Sequence, residues 1–97
     1  MQISIRFFTV LREITGKKEE TLQFAEDKKV TVSSVLKTLA QLYGKPFSDY
    51  VYDVDTSRVK SFLQFFVNGR SSAGLDALEI ELHEGDGLAI VPPVGGG

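Results

Sequence analysis

The residues whose types and order most clearly suggest a chemical role lie at the end of the sequence, which reads Pro92-Pro93-Val94-Gly95-Gly96-Gly97. The two prolines stiffen the start of this segment because each ring fixes its φ angle. The three glycines that follow have no side chains to pack, so they add little stability but let the segment enter a narrow site. Residues 94–97 would span roughly 13–14 Å when extended. We therefore expect a thin tail that presents the Gly97 carboxylate to the active site of another protein, the alternative being an ordinary frayed end.

Composition limits the kind of protein that carries this tail. The sequence has 97 residues, of which 42% are hydrophobic and 25% charged, and this is typical of one folded domain. The net charge is −2 and no basic stripe is present, so direct nucleic-acid binding is not expected. The absence of cysteine excludes disulfides, thiolate metal sites and cysteine nucleophiles. With no signal peptide and no membrane-spanning apolar run, a cytoplasmic protein without membrane association is expected.

Three other groups of reactive residues are assigned to the surface. His83 is the single histidine and has no ligand cluster around it, so we expect a loop position and no metal site. Asp53 and Asp55 are followed by too few ligands for a calcium loop and are interpreted as a solvated turn. Gly85-Asp86-Gly87 lacks the lysine and the helix of a phosphate loop, so it too is predicted to be a turn.

The elements that must position the tail begin with a strand at the start of the chain. Residues 3–7 alternate apolar and polar, which is the two-residue period of a half-buried strand. Phe8 breaks this alternation, since its parity places it on the polar face. After a turn around residues 16–18, residues 21–24 predict a second strand that forms a hairpin with the first.

Between Thr31 and Tyr43 the apolar period changes to that of a helix. The spacing places six residues on one face, namely Val32, Val35, Leu36, Leu39, Leu42 and Tyr43. Thr31 or Ser33 can cap the start through a side-chain oxygen, and Gly44 followed by Pro46 ends the helix.

The second half of the sequence contains the strand that leads to the tail. Residues 62–67 predict a strand, and Asn68-Gly69 fits a two-residue type I′ turn into a short return strand at residues 70–72. Residues 74–76 are expected to form an irregular crossover. Residues 88–91 then predict a final apolar strand that runs directly into the tail.

The order strand, strand, helix, strand, short strand, strand predicts a two-layer α+β domain. A β-grasp (ubiquitin-like) arrangement fits best, with a mixed sheet of about five strands packed on one main helix. In it the first and last strands pair in parallel at the centre of the sheet. We expect residues 1–94 to form this domain and residues 95–97 to form a flexible glycine tail. Residues 47–57 fit either a short amphipathic turn or a loop.

Four segments spread over nearly the whole chain point to a family: Phe7-Phe8-Thr9-Val10-Leu11-Arg12-Glu13 with Gly16, Val67-Asn68-Gly69-Arg70, Gly85-Asp86-Gly87-Leu88-Ala89-Ile90 and Pro92-Pro93-Val94-Gly95-Gly96-Gly97. Together they resemble the MoaD family, the small subunits of molybdopterin synthase in the MoaD/ThiS superfamily of ubiquitin-like sulfur carriers. The ending, placed directly after the final strand, is the most specific of the four. The sequence departs from the family at Gly95, where alanine, serine or threonine is common, and at Val91, where phenylalanine is common.

The resemblance implies a role for the Gly97 carboxylate. An E1-like (MoeB-like) enzyme would adenylate it with ATP and magnesium, and a sulfur donor system would convert the adenylate to a thiocarboxylate. The chain itself would bind no cofactor and would be the non-catalytic sulfur-carrier subunit of molybdopterin synthase, in molybdenum cofactor biosynthesis. The MoaE-like large subunit would receive the tail in a channel that contacts Pro92, Pro93, Val94, Gly95 and Gly96.

Strand parity independently predicts a binding surface for these partners. If the apolar positions of the first, third and final strands face the helix, Phe8, Phe66 and Val91 face outward. Because these strands are neighbours in a β-grasp sheet, the three residues would form one apolar patch beside the tail. Arg12 is a further candidate for partner contact, or else a member of a surface salt bridge. The alternative for the patch is that a loop such as residues 47–60 covers it.

Other functions are compatible with the same features. A ubiquitin-like modifier would join Gly97 to lysines of other proteins, and a sulfur carrier for tRNA thiolation would use the same activated terminus. A ThiS-like carrier for thiazole synthesis is disfavoured by the Pro-Pro-Val exit and the chain length. The last alternative is an adaptor domain whose glycine tail is inert.

Overall fold

The structure is a computed structural model that describes residues 1–73 and 75–93. Val94–Gly97, which include the predicted tail and the end of the predicted domain, lie outside the described residues, as does Gly74 in the predicted crossover. The elements are β1 Gln2–Phe7, α1 Val10–Thr15, β2 Glu19–Gln23, β3 Val30–Thr31, α2 Val32–Tyr43, α3 Lys45–Val51, β4 Gln64–Val67, β5 Arg70–Ala73, α4 Leu75–Leu78, β6 Glu81–Leu82 and β7 Gly87–Val91.

Five strands form a mixed sheet in the order β2-β1-β7-β4-β5, and β3 pairs with β6 in a separate two-stranded sheet. The central strands β1 and β7 are parallel, and their register runs from Ser4 opposite Gly87 to Phe7 opposite Ile90. The other pairings in the five-stranded sheet are antiparallel. The predicted β-grasp arrangement, with the first and last strands side by side, is therefore confirmed.

The connection between β1 and β2 contains a helix that periodicity did not indicate. Helix α1 is six residues long, and Gly16 closes it in a left-handed conformation (φ 72°). The N–H of Gly16 donates to the Arg12 carbonyl at 2.8 Å, which satisfies an end carbonyl of the helix. Strand β2 then starts at Glu19, two residues before the predicted start, and ends one residue before the predicted end.

Helix α2 matches the predicted main helix, and Thr31 is its cap. The Ser34 N–H donates to Thr31 Oγ1 and the Thr31 N–H donates to Ser34 Oγ, both at 3.2 Å. This reciprocal pair satisfies two otherwise unpaired donors at the helix start. Gly44 ends the helix as predicted. Leu42 is an exception to the predicted apolar face, because it is 58% exposed.

The segment between α2 and β4 is more regular than the two readings of residues 47–57 suggested. It opens with helix α3 and continues as a narrow loop in which Tyr52 forms an antiparallel bridge with Val59. The predicted turn at Asp53 is confirmed, since its Oδ1 accepts from the N–H groups of Asp55 (2.9 Å) and Thr56 (3.1 Å). The predicted strand 62–67 begins only at Gln64.

The turn after β4 has the geometry expected of Asn-Gly. Asn68 and Gly69 both have positive φ angles, 50° and 85°, as a type I′ turn requires. The predicted irregular crossover at residues 74–76 is corrected: residues 75 and 76 begin helix α4, and strand β6 follows that helix. Strand β6 pairs antiparallel with β3, which was too short to predict.

The core lies between one face of the sheet and the helices. Its sheet side is formed by alternate residues of β1, β7 and β4: Ile3, Ile5, Phe7, Leu88, Ile90 and Phe65. Val35, Leu36 and Leu39 of α2 are fully buried opposite them. Val67, which has the same parity as Phe65 in β4, is half-buried. In the described part of the chain, no helix is long and apolar enough to cross a membrane.

Candidate functional site

The tail root, defined as Val91–Pro93, lies at one end of the five-stranded sheet. Ile90 pairs with Phe7 at the end of β1, and Val91 pairs with Gln64 at the start of β4. The root is therefore flanked by the chain leaving β1 on one side and the chain entering β4 on the other. Pro92 is buried and Pro93 is exposed, so of the two predicted tail prolines Pro92 packs on the domain.

A groove of about 560 Å³ runs along the outer face of the sheet, opposite the helices. Phe8, Phe66 and Val91, the three residues predicted from parity, all line it. Each is half-buried rather than fully exposed. Residues 47–60 are all described and none of them lines the groove, so the covering loop considered as an alternative is not observed.

The depth of the groove comes from small residues in the central strand. Gly87 and Ala89 occupy the outward positions of β7, and Ala89 lies between Arg6 of β1 and Phe66 of β4 in register. Larger side chains on both sides rise above this floor, which leaves a concave apolar surface. The sequence predicted the larger residues at the sides of the groove but not the small residues at its floor. The signal for the floor was that Gly87 and Ala89 alternate with the apolar Leu88.

Two guanidinium groups lie against the Phe8 ring at the edge of the groove. The Cζ atoms of Arg6 and Arg12 are 6.0 and 5.4 Å from the ring centroid. Arg12 Nε also donates to the Phe7 carbonyl at 3.0 Å, which fixes the side chain beside the tail root. These are cation–π contacts, and they place Arg12 next to the predicted patch. The surface salt bridge considered for Arg12 is not formed with any described residue.

Asn68 and Asp86 join two of the four family segments at the other end of the groove. Asn68 Nδ2 donates to Asp86 Oδ1, and the Gly87 N–H donates to Asn68 Oδ1, both at 2.9 Å. The His83 N–H donates to Asp86 Oδ2 at 2.8 Å. The Asn68 bond, followed by the His83 N–H, lowers the pKa of the Asp86 carboxyl below its usual value. This clasp holds the β4–β5 turn against the start of β7, the strand that leads to the tail.

A second polar cluster ties β2 to the end of α2, away from the groove. Glu20 Oε1 accepts from Lys17 Nζ at 2.8 Å and from the Tyr43 hydroxyl at 2.5 Å. The Lys17 bond, then the Tyr43 bond, lowers the pKa of Glu20. Burial is the main reason that the pKa of Tyr43 is raised, and the Glu20 bond adds to it. The Tyr43 ring packs edge-on against Phe7, so the cluster stabilises the frame of the site.

The remaining reactive groups are dispersed. His83 is exposed, as predicted for a loop residue. Among the residues that the structure describes, no three histidine, aspartate or glutamate side chains lie close enough together to hold a metal ion. The predicted reacting residue Gly97 and the tail residues Val94, Gly95 and Gly96 lie outside the described residues.

Comparison with known proteins assigns the chain and its fold to a family. The model of the ThiS family matches residues 5–97. The chain belongs to the ThiS family. Its resemblance to the MoaD/ThiS superfamily is thereby confirmed, and this ThiS-family chain is of the ubiquitin-like sulfur-carrier and modifier type. Small archaeal modifier protein 3 of Haloferax volcanii is 32% identical over 97 residues, which are 100% of each chain. A putative sulfur carrier protein of Archaeoglobus fulgidus is 35% identical over 69 residues, 71% of this chain and 76% of that one.

Solved structures of related proteins have the same fold. The crystal structure of SAMP1 from Haloferax volcanii superposes with a TM-score of 0.83 at 25% identity and covers 100% of both chains. A chain of the BexX/CysO complex of Amycolatopsis orientalis gives 0.69 at 26% identity, over 98% of this chain and 99% of that one. A chain of the complex of subunits 1 and 2 of the molybdopterin-converting factor from Helicobacter pylori gives 0.58 over 100% of both. Its 16% identity shows a common fold alone.

Proposed function

We propose that this ThiS-family chain is a ubiquitin-like modifier and sulfur carrier whose Gly97 carboxylate is activated by an E1-like enzyme. The observation that carries this proposal is the end-to-end match with small archaeal modifier protein 3. It favours the modifier, considered above as an alternative, over a dedicated subunit of molybdopterin synthase.

The proposed chemistry begins with a carboxylate, which is a poor electrophile because its charge repels nucleophiles. The enzyme uses ATP with magnesium to join AMP to Gly97, and pyrophosphate leaves. A lysine amine of a target protein then attacks the acyl carbonyl, AMP departs, and an isopeptide bond remains. If a sulfur donor attacks the same adenylate, the product is a Gly97 thiocarboxylate, which is the form that tRNA thiolation would use.

The contribution of this chain is binding and positioning, while its partners supply the catalytic side chains. Gly95, Gly96 and Gly97 present no Cβ to the walls of a narrow channel. Pro93 limits the entropy lost when the tail is inserted. The groove lined by Phe8, Phe66 and Val91 offers an apolar anchor next to the tail root, and such an anchor holds a reacting group within reach of an active site.

A second candidate is the small subunit of molybdopterin synthase. The observation that favours it is the run Pro92-Pro93-Val94 directly after β7, together with the other three segments that resemble the MoaD family. In that case a MoaE-like subunit receives the thiocarboxylate, and the sulfur is transferred to a pterin precursor. Co-purification of the untagged chain with such a subunit would support this candidate. Loss of molybdoenzyme activity after deletion of the gene for this chain would also support it.

Intact-mass spectrometry tests the activation step. Protein without a C-terminal tag is incubated with an E1-like enzyme from the same organism, magnesium, ATP and a sulfide donor. We expect a product in which one oxygen has been replaced by sulfur. Loss of this product when ATP is omitted is the control. If the mass of the protein never changes, the carrier and modifier chemistry is wrong and the inert adaptor remains.

Proteomics separates the modifier from a dedicated carrier. No lysine or arginine follows Arg70, so trypsin leaves residues 71–97 as the branch on a modified lysine. A protease that cleaves after glutamate leaves the shorter branch 85–97, because Glu84 is the last glutamate. Branches of this sequence on cellular lysines support the modifier. Their absence from cells that do contain the thiocarboxylate would show a sulfur carrier only.

A further inference from the structure

The side chains of Tyr50, Lys60 and Phe62 form a cluster on the side of the tail root opposite Phe8. We propose that this cluster, called the Lys60 cluster below, is a second contact surface for the enzyme that activates the tail. The Lys60 cluster binds an acidic surface of that enzyme. The inference rests on the proposed function and extends it by naming where, and with what chemistry, the partner binds.

The cluster is a pair of rings, Tyr50 half-buried and Phe62 exposed, with an ammonium group near both. The rings of Tyr50 and Phe62 have their centroids 5.7 Å apart, and Phe62 is 44% exposed. Lys60 Nζ lies 5.9 Å from the Tyr50 centroid and 5.7 Å from the Phe62 centroid. It also donates to the Asp49 carbonyl at 3.1 Å. The ammonium is thus held at a fixed place by contacts that leave its charge available to a partner.

The backbone that carries the cluster is firmly attached to the domain. The Lys60 N–H donates to the Val51 carbonyl at 2.8 Å, and Val51 is fully buried at the end of α3. Tyr52 and Val59 form a bridge directly beyond this bond. The segment therefore presents its side chains from a rigid frame, and a partner gains contact area without first having to order a loop.

Register places the Lys60 cluster at the tail end of the sheet. Phe62 stands two residues before Gln64, and Gln64 pairs with Val91 in the tail root. On the other side of the root, Ile90 pairs with Phe7, the residue before Phe8. The described chain thus leaves the sheet between the half-buried Phe8 ring on one side and the Tyr50–Phe62 pair on the other.

The length of the tail requires the activating enzyme to approach this end of the domain. Residues 94–97 reach roughly 13–14 Å when fully extended. An active site that takes the Gly97 carboxylate through a channel uses most of this length, so the surface around the channel mouth must lie against the tail root. The groove near Phe8 covers one side of that contact. The Lys60 cluster is on the other side, within the same footprint.

Three cations around the root favour an acidic partner, while Glu19, opposite Arg6 in register, is the one carboxylate among the described residues that line the groove. Arg6 and Arg12 lie over the Phe8 ring, and Lys60 lies over the second aromatic pair. None of these three cations forms an ion pair with a described residue. Asp53 is near enough that the Lys60 charge helps to lower its pKa, after its bonds to backbone N–H groups, but it does not pair with Lys60. Carboxylates on the enzyme would form ion pairs with these cations.

Charge reversal tests the inference. Lys60→Glu is compared with Lys37→Glu, an equally drastic change at an exposed lysine of α2. Lys37 lines a separate concavity with Phe24, beyond the end of β2 and away from the tail root. The measurement is ATP–pyrophosphate exchange by the E1-like enzyme as a function of carrier concentration. We expect Lys60→Glu to raise KM about tenfold with kcat nearly unchanged, because a rim charge acts on association. Lys37→Glu should match the wild type.

Salt and a neutral variant separate charge from packing. The KM difference between wild type and Lys60→Glu should shrink at high ionic strength, since exposed charges are screened. Phe62→Ala should also raise KM, with unfolding midpoints of all variants near that of the wild type. If Lys60→Glu and Lys37→Glu have the same KM on an active enzyme, this inference is wrong while the proposed function stands. If the wild type is never adenylated, both fail.

Discussion

At the scale of single residues, the small side chain of Ala89 forms the floor of the groove together with Gly87. Ala89 lies between Arg6 and Phe66 on the central strand, and its side chain faces away from the core. We predict that Ala89→Phe fills the groove and raises the KM for the activating enzyme about tenfold, because the new ring then clashes with the part of the enzyme that would occupy the groove. The free energy of unfolding should change by about 0.5 kcal/mol or less, as the new ring stays outside the core.

Thr21→Phe is the matched control for this prediction. Thr21 is exposed on the edge strand β2, opposite Ser4 in register, and it does not line the groove. It adds the same ring to the same face of the sheet. Equal KM values for the two variants in the adenylation assay would mean that the groove is not a docking surface.

At the scale of secondary-structure elements, the Asn68 clasp fixes the β4–β5 turn to strand β7. Asn68→Gly keeps the positive φ angle of 50° accessible and removes the bonds to Asp86 and Gly87. We predict a loss of about 1–2 kcal/mol in the free energy of unfolding, since one lost bond involves a charged carboxylate. Asn68→Ala should lose about 1 kcal/mol more, because alanine disfavours the left-handed region.

Urea denaturation of the two variants checks this order. Asp86→Asn is a useful companion, because it removes the negative charge and retains the shape of the side chain. If Asn68→Gly is as stable as the wild type, the side-chain clasp contributes nothing and only the turn conformation matters. An alanine variant more stable than the glycine variant would contradict the role of φ.

The contact between β2 and α2 predicts a pH dependence of stability. The folded pKa of Glu20 lies below its ordinary value of 4.5, mainly because Lys17 donates to it. A carboxylate with a lowered folded pKa stabilises the protein above its unfolded pKa, and this stabilisation is lost as the pH falls through the folded value. Glu20→Gln should therefore unfold at lower urea concentration than wild type at pH 7. The difference between the two proteins should begin to shrink as the pH falls below about 4.5 and should vanish once the pH is below the folded pKa of Glu20.

Glu19→Gln provides the comparison for Glu20→Gln. Glu19 is the exposed neighbour on the same strand, and it pairs with Arg6 only through the backbone register. Its substitution should shift the urea midpoint little at any pH. A difference between wild type and Glu20→Gln that persists unchanged at pH 3 would assign the effect to packing of the side chain and not to its charge.

Elements with a long apolar period were predictable from sequence, and β5 was predictable from its Asn-Gly turn, whereas α1, α4, β3 and β6 were not. Helix α2 and strands β1 and β7 show several repeats of their period, which is why their type and position agree with the structure. Helix α1 has six residues and a single fully buried one, Leu11, so no period could appear. Strands of two residues such as β3 depend on a partner distant in sequence.

In the candidate site too, features set by neighbouring residues were predictable, and contacts between residues far apart in the sequence were not. Parity alone placed Phe8, Phe66 and Val91 on one face, and the structure brings them to one groove. The clasp between Asn68 and Asp86 could not be foreseen, because it joins residues 18 positions apart through a specific amide geometry. Cation–π contacts such as that of Lys60 likewise need the folded backbone to bring the groups together.

At the scale of the whole molecule, we predict that substitutions in the folded domain and changes in the proposed tail have different effects. Changes in the core or the clasp alter stability, whereas changes at the end of the tail should alter chemistry alone. We predict that one alanine added after Gly97 leaves the thermal unfolding midpoint unchanged and abolishes the thiocarboxylate product. The added residue moves the carboxylate about 3.3–3.6 Å further along the channel and brings a Cβ into it.

Gly95→Ala is the control, because the resemblance to the MoaD family implies that alanine is tolerated there. It adds the same methyl group to the tail without moving the terminal carboxylate, so intact-mass spectrometry should still detect the thiocarboxylate. Loss of product in both variants would mean that the channel rejects any Cβ, and the position of the carboxylate would not be the deciding factor. Product formation by the extended protein would instead show that the reacting carbonyl does not need to be that of Gly97, contrary to the proposed function.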